Sequence, residues 1–307
     1  MSADVLVVGE CVADIVRVPG QPDLPHPGGS PANVAYGLAR LGAATALLTQ
    51  LGADEPGALI RAHLSGAGVE LLSDGQTDVR TPSAVVSLDA DGKASYAFDI
   101  AWTLQPSEPG FLPRHLHLGS IAAVAGPGAD TVLALAVSLR GRATVSYDPN
   151  VRPALMGERG AALRRVEECV ALSDVVKASD EDLAWLYPDV PEQDVVERWL
   201  ALGPVLVLVT RGAAGAGGWT ATRSAEEPAR PVAVVDTVGA GDSFMSAALC
   251  ALARLAPGRA ALADLDRGGL GEVLRHAVTA AAITVSRAGA NPPSAQELTQ
   301  ALAAPRA

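Results

Sequence analysis

Lysine is almost missing from this chain: of 23 basic residues only Lys93 and Lys177 are lysines. Any site for an anionic ligand is therefore expected to use arginine, a metal ion or backbone N–H groups. Acidic residues number 34, leaving a net charge of -11, which argues against a nucleic-acid partner because polymer phosphate binding draws on clustered Lys and Arg. Aromatic residues make up only 4%, so the core must be packed by Leu, Val, Ala and Ile, the residues of close helix-on-sheet contacts. The three cysteines, Cys11, Cys169 and Cys250, are odd in number, widely spaced and free of any C-x-x-C pair, which fits reduced thiols rather than a disulfide framework. No apolar run is long enough to span a bilayer, and the start Met1-Ser2-Ala3-Asp4 has neither the basic opening nor the apolar core of a signal peptide. A cytoplasmic protein without a membrane partner is expected.

What is present is apolar and regularly patterned. At 49% hydrophobic over 307 residues, the chain can fill one large α/β domain with an appendage, or two ordinary domains. Valine-rich runs at residues 5–8, 144–147, 205–209 and 232–235 alternate with Ala/Leu stretches of helical period, predicting βα units around a mainly parallel sheet. Gly42, Gly66, Gly203 and Gly289 fall where left-handed helix C-caps are expected. Residues 17–27 and 81–98 break this rhythm, the second with strict alternation around an Asp91-Gly92 hairpin signal. These two segments predict a small antiparallel appendage that covers a cleft at one end of the main sheet, and a simple edge hairpin fits the pattern equally well. Residues 224–231 read as an exposed loop, and no internal repeat is visible.

The most informative stretch is Val232-Ala233-Val234-Val235-Asp236-Thr237-Val238-Gly239-Ala240-Gly241-Asp242, leading into an apolar helix from Met245 to Leu255. A strand, a small-residue turn and a helix start would leave the amides of Gly239, Ala240 and Gly241 unpaired and pointing outward, where an anion fits. Asp242 beside them could take a proton from an attacking hydroxyl, or it could simply cap the helix. Other glycine motifs fail on inspection. A dinucleotide fingerprint needs glycine at 244, where Phe244 stands, and a Walker loop needs Ser or Thr after Gly92-Lys93, where Ala94 stands.

Near the other end, Gly28-Gly29-Ser30-Pro31-Ala32-Asn33 opens a second helix. Its glycines let a ligand touch backbone, and Asn33 can both donate to and accept from a polyol. Asp14 lies just beyond the first strand and Glu10, and Asp148-Pro149-Asn150-Val151-Arg152 ends another, so both lie at carboxyl ends of strands where ligands collect in open α/β sheets. His115 and His117, two apart on a predicted strand, fit ordinary packing better than a metal site, since no further ligand is near in sequence.

The Asp236-to-Asp242 and Gly28-to-Asn33 segments resemble the two signatures of the ribokinase-like (PfkB) carbohydrate kinases, in the family's order and spanning essentially the whole chain. The resemblance implies a single ribokinase-like domain over 1–307, a three-layer α/β/α fold with a mainly parallel central sheet and a small β-sheet lid from about 15–27 and 81–102. It implies transfer of the γ-phosphoryl group of ATP to a sugar hydroxyl, with Asp242 as base and the Gly239-Ala240-Gly241 amides as anion hole. It assigns Asp14, Gly28, Gly29, Asn33 and Arg152 to the sugar, and the Asp148-to-Arg152 segment resembles that of fructokinases and ketodeoxygluconate kinases, making fructose the first substrate expected. Ribose, 2-keto-3-deoxygluconate and nucleosides are the alternatives. Thr210, Gly212 and Gly215 match the family's nucleotide loop, while Lys177, Ser179 and Asp182 occupy the place of its Asn-x-x-Glu segment, where Asp182 would serve Mg2+ indirectly. Ser179 and Asp182 depart from that pattern, which leaves a catalytically silent sugar- or nucleotide-binding regulator as the alternative from another class. A monovalent cation such as K+ and a homodimer through the lid are further implications.

Overall fold

Valine-rich runs become strands because β-branched side chains pack well on a pleated surface, and the alanine-rich stretches between them become helices that can lie close to it. The computed structural model describes residues 3–17, 23–73, 76, 78–88 and 94–304. In chain order the elements are β1 (Val5–Val8), β2 (Val12–Arg17), β3 (Leu24–Gly28), α1 (Ser30–Arg40), β4 (Thr45–Leu48), α2 (Glu55–Gly66), β5 (Glu70–Leu72), β6 (Ser83–Leu88) and β7 (Ala94–Asp99). They continue with β8 (His115–Gly119), α3 (Gly128–Leu139), β9 (Thr144–Asp148), α4 (Arg159–Leu172), β10 (Val175–Ser179), α5 (Asp180–Leu186), α6 (Glu192–Leu202) and β11 (Leu206–Thr210). The last are β12 (Ala216–Trp219), β13 (Ser224–Glu227), α7 (Ala240–Leu255), α8 (Arg259–Ala263), α9 (Arg267–Val285) and α10 (Ala295–Ala303).

Nine strands form one sheet in the order β13-β12-β11-β10-β9-β8-β1-β4-β5, parallel from β11 to β5 with β12 and β13 antiparallel at one edge. Side chains alternate between its two faces: Leu6, Val8, Leu116 and Leu118 join the core shared with α3, α4 and α6, while Val5, Val7 and Leu47 join the one shared with α1 and α7. This is the expected three-layer α/β/α arrangement. The second sheet has four strands in the order β3-β2-β6-β7, so the two segments that break the βα rhythm do come together. Its central pair, β2 with β6, is parallel, and the sheet is therefore mixed rather than purely antiparallel. The Asp91-Gly92 turn lies outside the described residues.

Several local expectations are corrected. Residues 232–235 form no strand: the run is exposed, with Val234 and Val235 about two-thirds accessible at 65% and 64%, and it is tethered by the amides of Val235 and Asp236 to the Val285 carbonyl. The sheet edge it would have joined is taken by β13, which falls inside the segment read as a loop and buries Ala225 and Glu227 against its neighbours. Gly66 is the last residue of α2, and the left-handed residue that follows is Gly68, with φ +91°; Gly42, Gly203 and Gly289 do have positive φ.

His115 and His117 are packing residues. The Ser146 hydroxyl lies 2.7 Å from His115 Nε2 and 2.8 Å from His117 Nδ1, and burial pushes the two imidazoles down to about 4 and about 3, so both are neutral at physiological pH. No described helix is long and apolar enough to cross a membrane.

Candidate active site

In an open parallel sheet, side chains of different strands meet at the carboxyl edge because neighbouring strands end together. Here Gly119 ends beside Asp148 and Ser179 beside Thr210, each as register partners. Lys177 reaches across from β10 to β9 and donates to Asp148 Oδ2 at 2.9 Å, with both side chains almost wholly buried. Burial pushes Asp148 up to about 6 even though Lys177 pulls the other way. Burial also opposes charge on Lys177, but the Asp148 and Asp182 carboxylates outweigh it and hold the ammonium above its ordinary range. The pair is thus ionic at neutral pH.

Helix α7 aims its N-terminus at this pair. Gly239 precedes it with φ +74°, a left-handed conformation, and a Cβ there would come within 2.6 Å of the Ala290 Cβ. The amides of Gly239, Gly241 and Asp242 find no acceptor among the described residues, and that of Ala240 reaches the Thr237 carbonyl only at 3.3 Å. A Cβ placed on Gly241 would lie 3.0 Å from Lys177 Nζ, so the open amides and the ammonium face one small volume. Backbone donors, a helix dipole and a buried cation together suit a phosphoryl group. One of the chain's two lysines thus stands beside the open amides, a placement its scarcity did not suggest.

Asp242 is held from the opposite end of the sequence. Ser30 Oγ donates to its Oδ1 at 2.6 Å and Asn33 Nδ2 to its Oδ2 at 2.9 Å. Ser30 and Asn33 can do this because they sit one turn apart at the start of α1, whose N-cap Gly29 has φ +95° and whose second residue is Pro31. Glu10, buried just beyond β1, accepts from the Ala122 amide at 3.1 Å, and burial pushes its carboxyl up to about 7. The sequence alone gives neither Ser30 nor Glu10 a role. The available signal is the three-residue spacing of Ser30 and Asn33, which places both on one side of a helical turn.

The other residues singled out by the sequence fall into two groups around this centre. Asp14, on β2, stands opposite His26 in the small sheet, and Gly28 leaves it room: a Cβ on Gly28 would come within 2.1 Å of its Oδ2. Burial raises the Asp14 pKa, while the positive charges of His26 and Arg152 act to lower it. Arg152 itself is exposed and donates to its neighbour's carbonyl, that of Val151, at 2.9 Å. On the other side, Ser179 and Asp182 form a capping box at the start of α5, and the second Asp182 oxygen accepts from the Val151 amide at 2.7 Å. Asp182 therefore anchors the segment that carries Arg152. Thr210 closes β11, and Gly212 and Gly215 bound a short turn in which the Arg211 amide donates to the Gly215 carbonyl at 2.8 Å. Asp236 accepts from the amides of Val238 at 3.0 Å and Gly289 at 2.8 Å, locking the loop before α7 to the one after α9. Among the described residues no cluster of three or more His, Cys, Asp or Glu side chains is arranged to hold a metal ion.

Known proteins similar to this chain show its family. The profile of the pfkB family carbohydrate kinases matches residues 2–297. A fructokinase of Salmonella typhimurium is 35% identical over 269 residues, covering 82% of this chain and 85% of the relative. The crystal structure of a Xylella fastidiosa fructokinase with bound ATP superimposes with a TM-score of 0.86 at 30% identity, covering 97% of each chain. A fructokinase double mutant from Vibrio cholerae O395, in a form with fructose, ADP and potassium ion bound, gives a TM-score of 0.82 at 28% identity over 98% of this chain and 100% of the other.

Proposed function

Because the chain belongs to the pfkB family of carbohydrate kinases and is a sugar phosphotransferase, we propose that it is a fructokinase that moves the γ-phosphoryl group of ATP onto a hydroxyl of fructose. The observation that carries this reading is the fixed carboxylate of Asp242 beside the open amides of α7. An acceptor hydroxyl seated between them would have its proton facing Asp242 and its oxygen facing the anion cradle. As the new P–O bond forms and the bond to the departing nucleotide breaks, the hydroxyl proton passes to Asp242. In a loose transition state little charge is needed on the nucleophile, and proton transfer comes late. The amides of Gly239, Ala240 and Gly241, with Lys177, offset charge on the moving phosphoryl group.

Asp14, Gly28, Gly29, Asn33 and Arg152 are assigned to the sugar. Thr210, Gly212 and Gly215, with Lys177 and Ser179, are assigned to the nucleotide, where the exposed Val234, Val235 and Val238 add apolar surface for the base. Magnesium would arrive with the nucleotide phosphates and screen their charge, since it is commonly held through phosphates and waters; Asp182 serves it indirectly. Asp236 and the Gly289 loop are the elements suited to a monovalent cation such as K+. The small sheet is assigned the role of lid, and its exposed Val16 and Phe98 offer an apolar contact for a homodimer, which sedimentation velocity would detect.

ADP release measured over a panel of fructose, ribose, 2-keto-3-deoxygluconate and nucleosides tests the proposal. Fructose-dependent ADP production with the highest kcat/KM is expected. Preference for another acceptor would overturn the substrate, and tight sugar binding without ADP would overturn the kinase itself.

A further inference from the structure

The catalytic candidates occupy the carboxyl ends of the parallel strands, and the amino ends of the same strands open on a different cavity. Its volume is about 850 Å³, within the range that encloses a small organic ligand. The first residues of β1, β8, β9 and β10 form its floor, and the last turn of α7 with α8 forms a wall. Leu249, the first residue of α7 to line the cavity, lies roughly 10 Å along the helix from Asp242 at 1.5 Å per residue, so the two sites share a helix but no side chain.

The charge of this cavity is opposite to that of the molecule. In a chain of net charge -11, four arginines line it, Arg114, Arg140, Arg142 and Arg259, against two carboxylates, Asp4 and Asp174. Arg259 pairs with Asp174 and donates to the Gly203 carbonyl at 2.9 Å. The other three guanidinium groups make no ion pair and donate no hydrogen bond among the described residues.

Backbone contacts bring the segments that carry these three to one end of the sheet. Arg114 N donates to the Asp4 carbonyl at 2.9 Å, Thr144 N to the Arg114 carbonyl at 3.1 Å, and Arg140 bridges to Ala143 around the turn that carries Arg142. All three side chains are exposed, and Asp4 is the one lining carboxylate besides the Asp174 that Arg259 pairs with. Facing them are apolar residues of α7, α8 and the link between the two: Ala253 and Pro257 are exposed, above the buried Leu252, Ala256 and Leu262. Planar guanidinium forks on one side and aliphatic surface on the other match a phosphate ester with a compact organic part. They do not match a nucleic-acid strand, which needs an extended basic track.

We propose that this cavity is a second ligand site, selective for a small phosphorylated organic anion. Phenyl phosphate is a suitable probe, titrated calorimetrically into protein whose catalytic cleft is first saturated with fructose and a non-hydrolysable ATP analogue. One saturable site per chain is expected, with phenol and inorganic phosphate each binding more weakly. In the double variant Arg140→Ala/Arg142→Ala, affinity should fall by about tenfold or more while fructose-dependent ADP production stays within about twofold of wild type. No saturable binding into the millimolar range, or equal affinity in the double variant, would overturn the site. A crystal of wild-type protein soaked with phenyl phosphate gives a readout that needs no variant. Phosphate density against Arg140 and Arg142 is expected, and density confined to the catalytic cleft refutes the proposal. The kinase assignment is tested separately, because ADP production is measured without the probe.

Discussion

Asn33 donates a 2.9 Å hydrogen bond to Asp242 across 209 residues of sequence, joining the first helix of the chain to the helix that presents the anion cradle. A side chain assigned to the sugar thus also sets the orientation of the base, and the two functions cannot be fully separated by mutation.

Replacing Asp242 with Asn keeps the shape and can keep a hydrogen bond to Ser30, but removes the proton acceptor. Turnover should fall by roughly 10²- to 10⁴-fold, with only a small change in the Kd for fructose. Steady-state kinetics paired with calorimetric sugar binding checks both halves, and turnover close to wild type would exclude Asp242 as the base.

Ser30→Ala removes the 2.6 Å donor on the other oxygen while leaving Asn33 in place. Loss of one charge-assisted hydrogen bond should lower kcat about tenfold with KM for fructose little changed. A purely structural role for Ser30 would instead lower the melting temperature and leave kcat unchanged.

Glu10 is protonated more readily in the folded protein than in the unfolded chain, since burial lifts its carboxyl from 4.5 to about 7. A raised pKa contributes stability that is fully present below about pH 4.5 and is lost as pH climbs through 7. Wild type should therefore lose roughly 2 kcal/mol relative to Glu10→Gln between pH 5.5 and pH 8.5, at about 1.36 kcal/mol per pKa unit. Denaturant unfolding of both proteins at the two pH values measures this, and parallel stability curves would show that Glu10 stays ionised throughout.

Lys177→Met strands the buried Asp148 carboxylate and should cost about 3–5 kcal/mol. Adding Asp148→Asn removes the uncompensated charge, so the double variant should regain most of that stability. It should not regain the affinity for ATP, because the cation beside Gly241 is still missing. Recovery of both together would mean that Lys177 acts only as a counter-ion.

Much of this architecture is legible in residue order. Runs such as Val5-Leu6-Val7-Val8 read as buried strands, and the two glycine-rich helix starts identify themselves by small residues followed by an apolar periodic run. Residues 232–235 carry the same β-branched signal yet form no strand, because pairing with a neighbour is decided by the assembled sheet and not by the run itself. Lys177 and Asp148 are unreadable as a pair for a similar reason. They lie 29 residues apart and meet only because β9 and β10 are neighbours, which strand order decides. Ser30 is hidden by size, a small polar residue in a turn made of small residues. The arginines of the second cavity give no signal, since Arg114 and Arg140 belong to different βα units.

The place of β1 between β4 and β8 has a consequence for biogenesis. Its Val5 pairs with Thr45 on one side and with His115 on the other, so one flank can close early during synthesis while the second waits for β8 to leave the ribosome. Until then a fully apolar strand carries an open hydrogen-bonding flank, the kind of edge on which nascent chains associate. Premature termination products ending before Gly119 should accordingly be recovered with chaperones or as aggregates, whereas the completed chain escapes that fate by sealing its oldest strand in the middle.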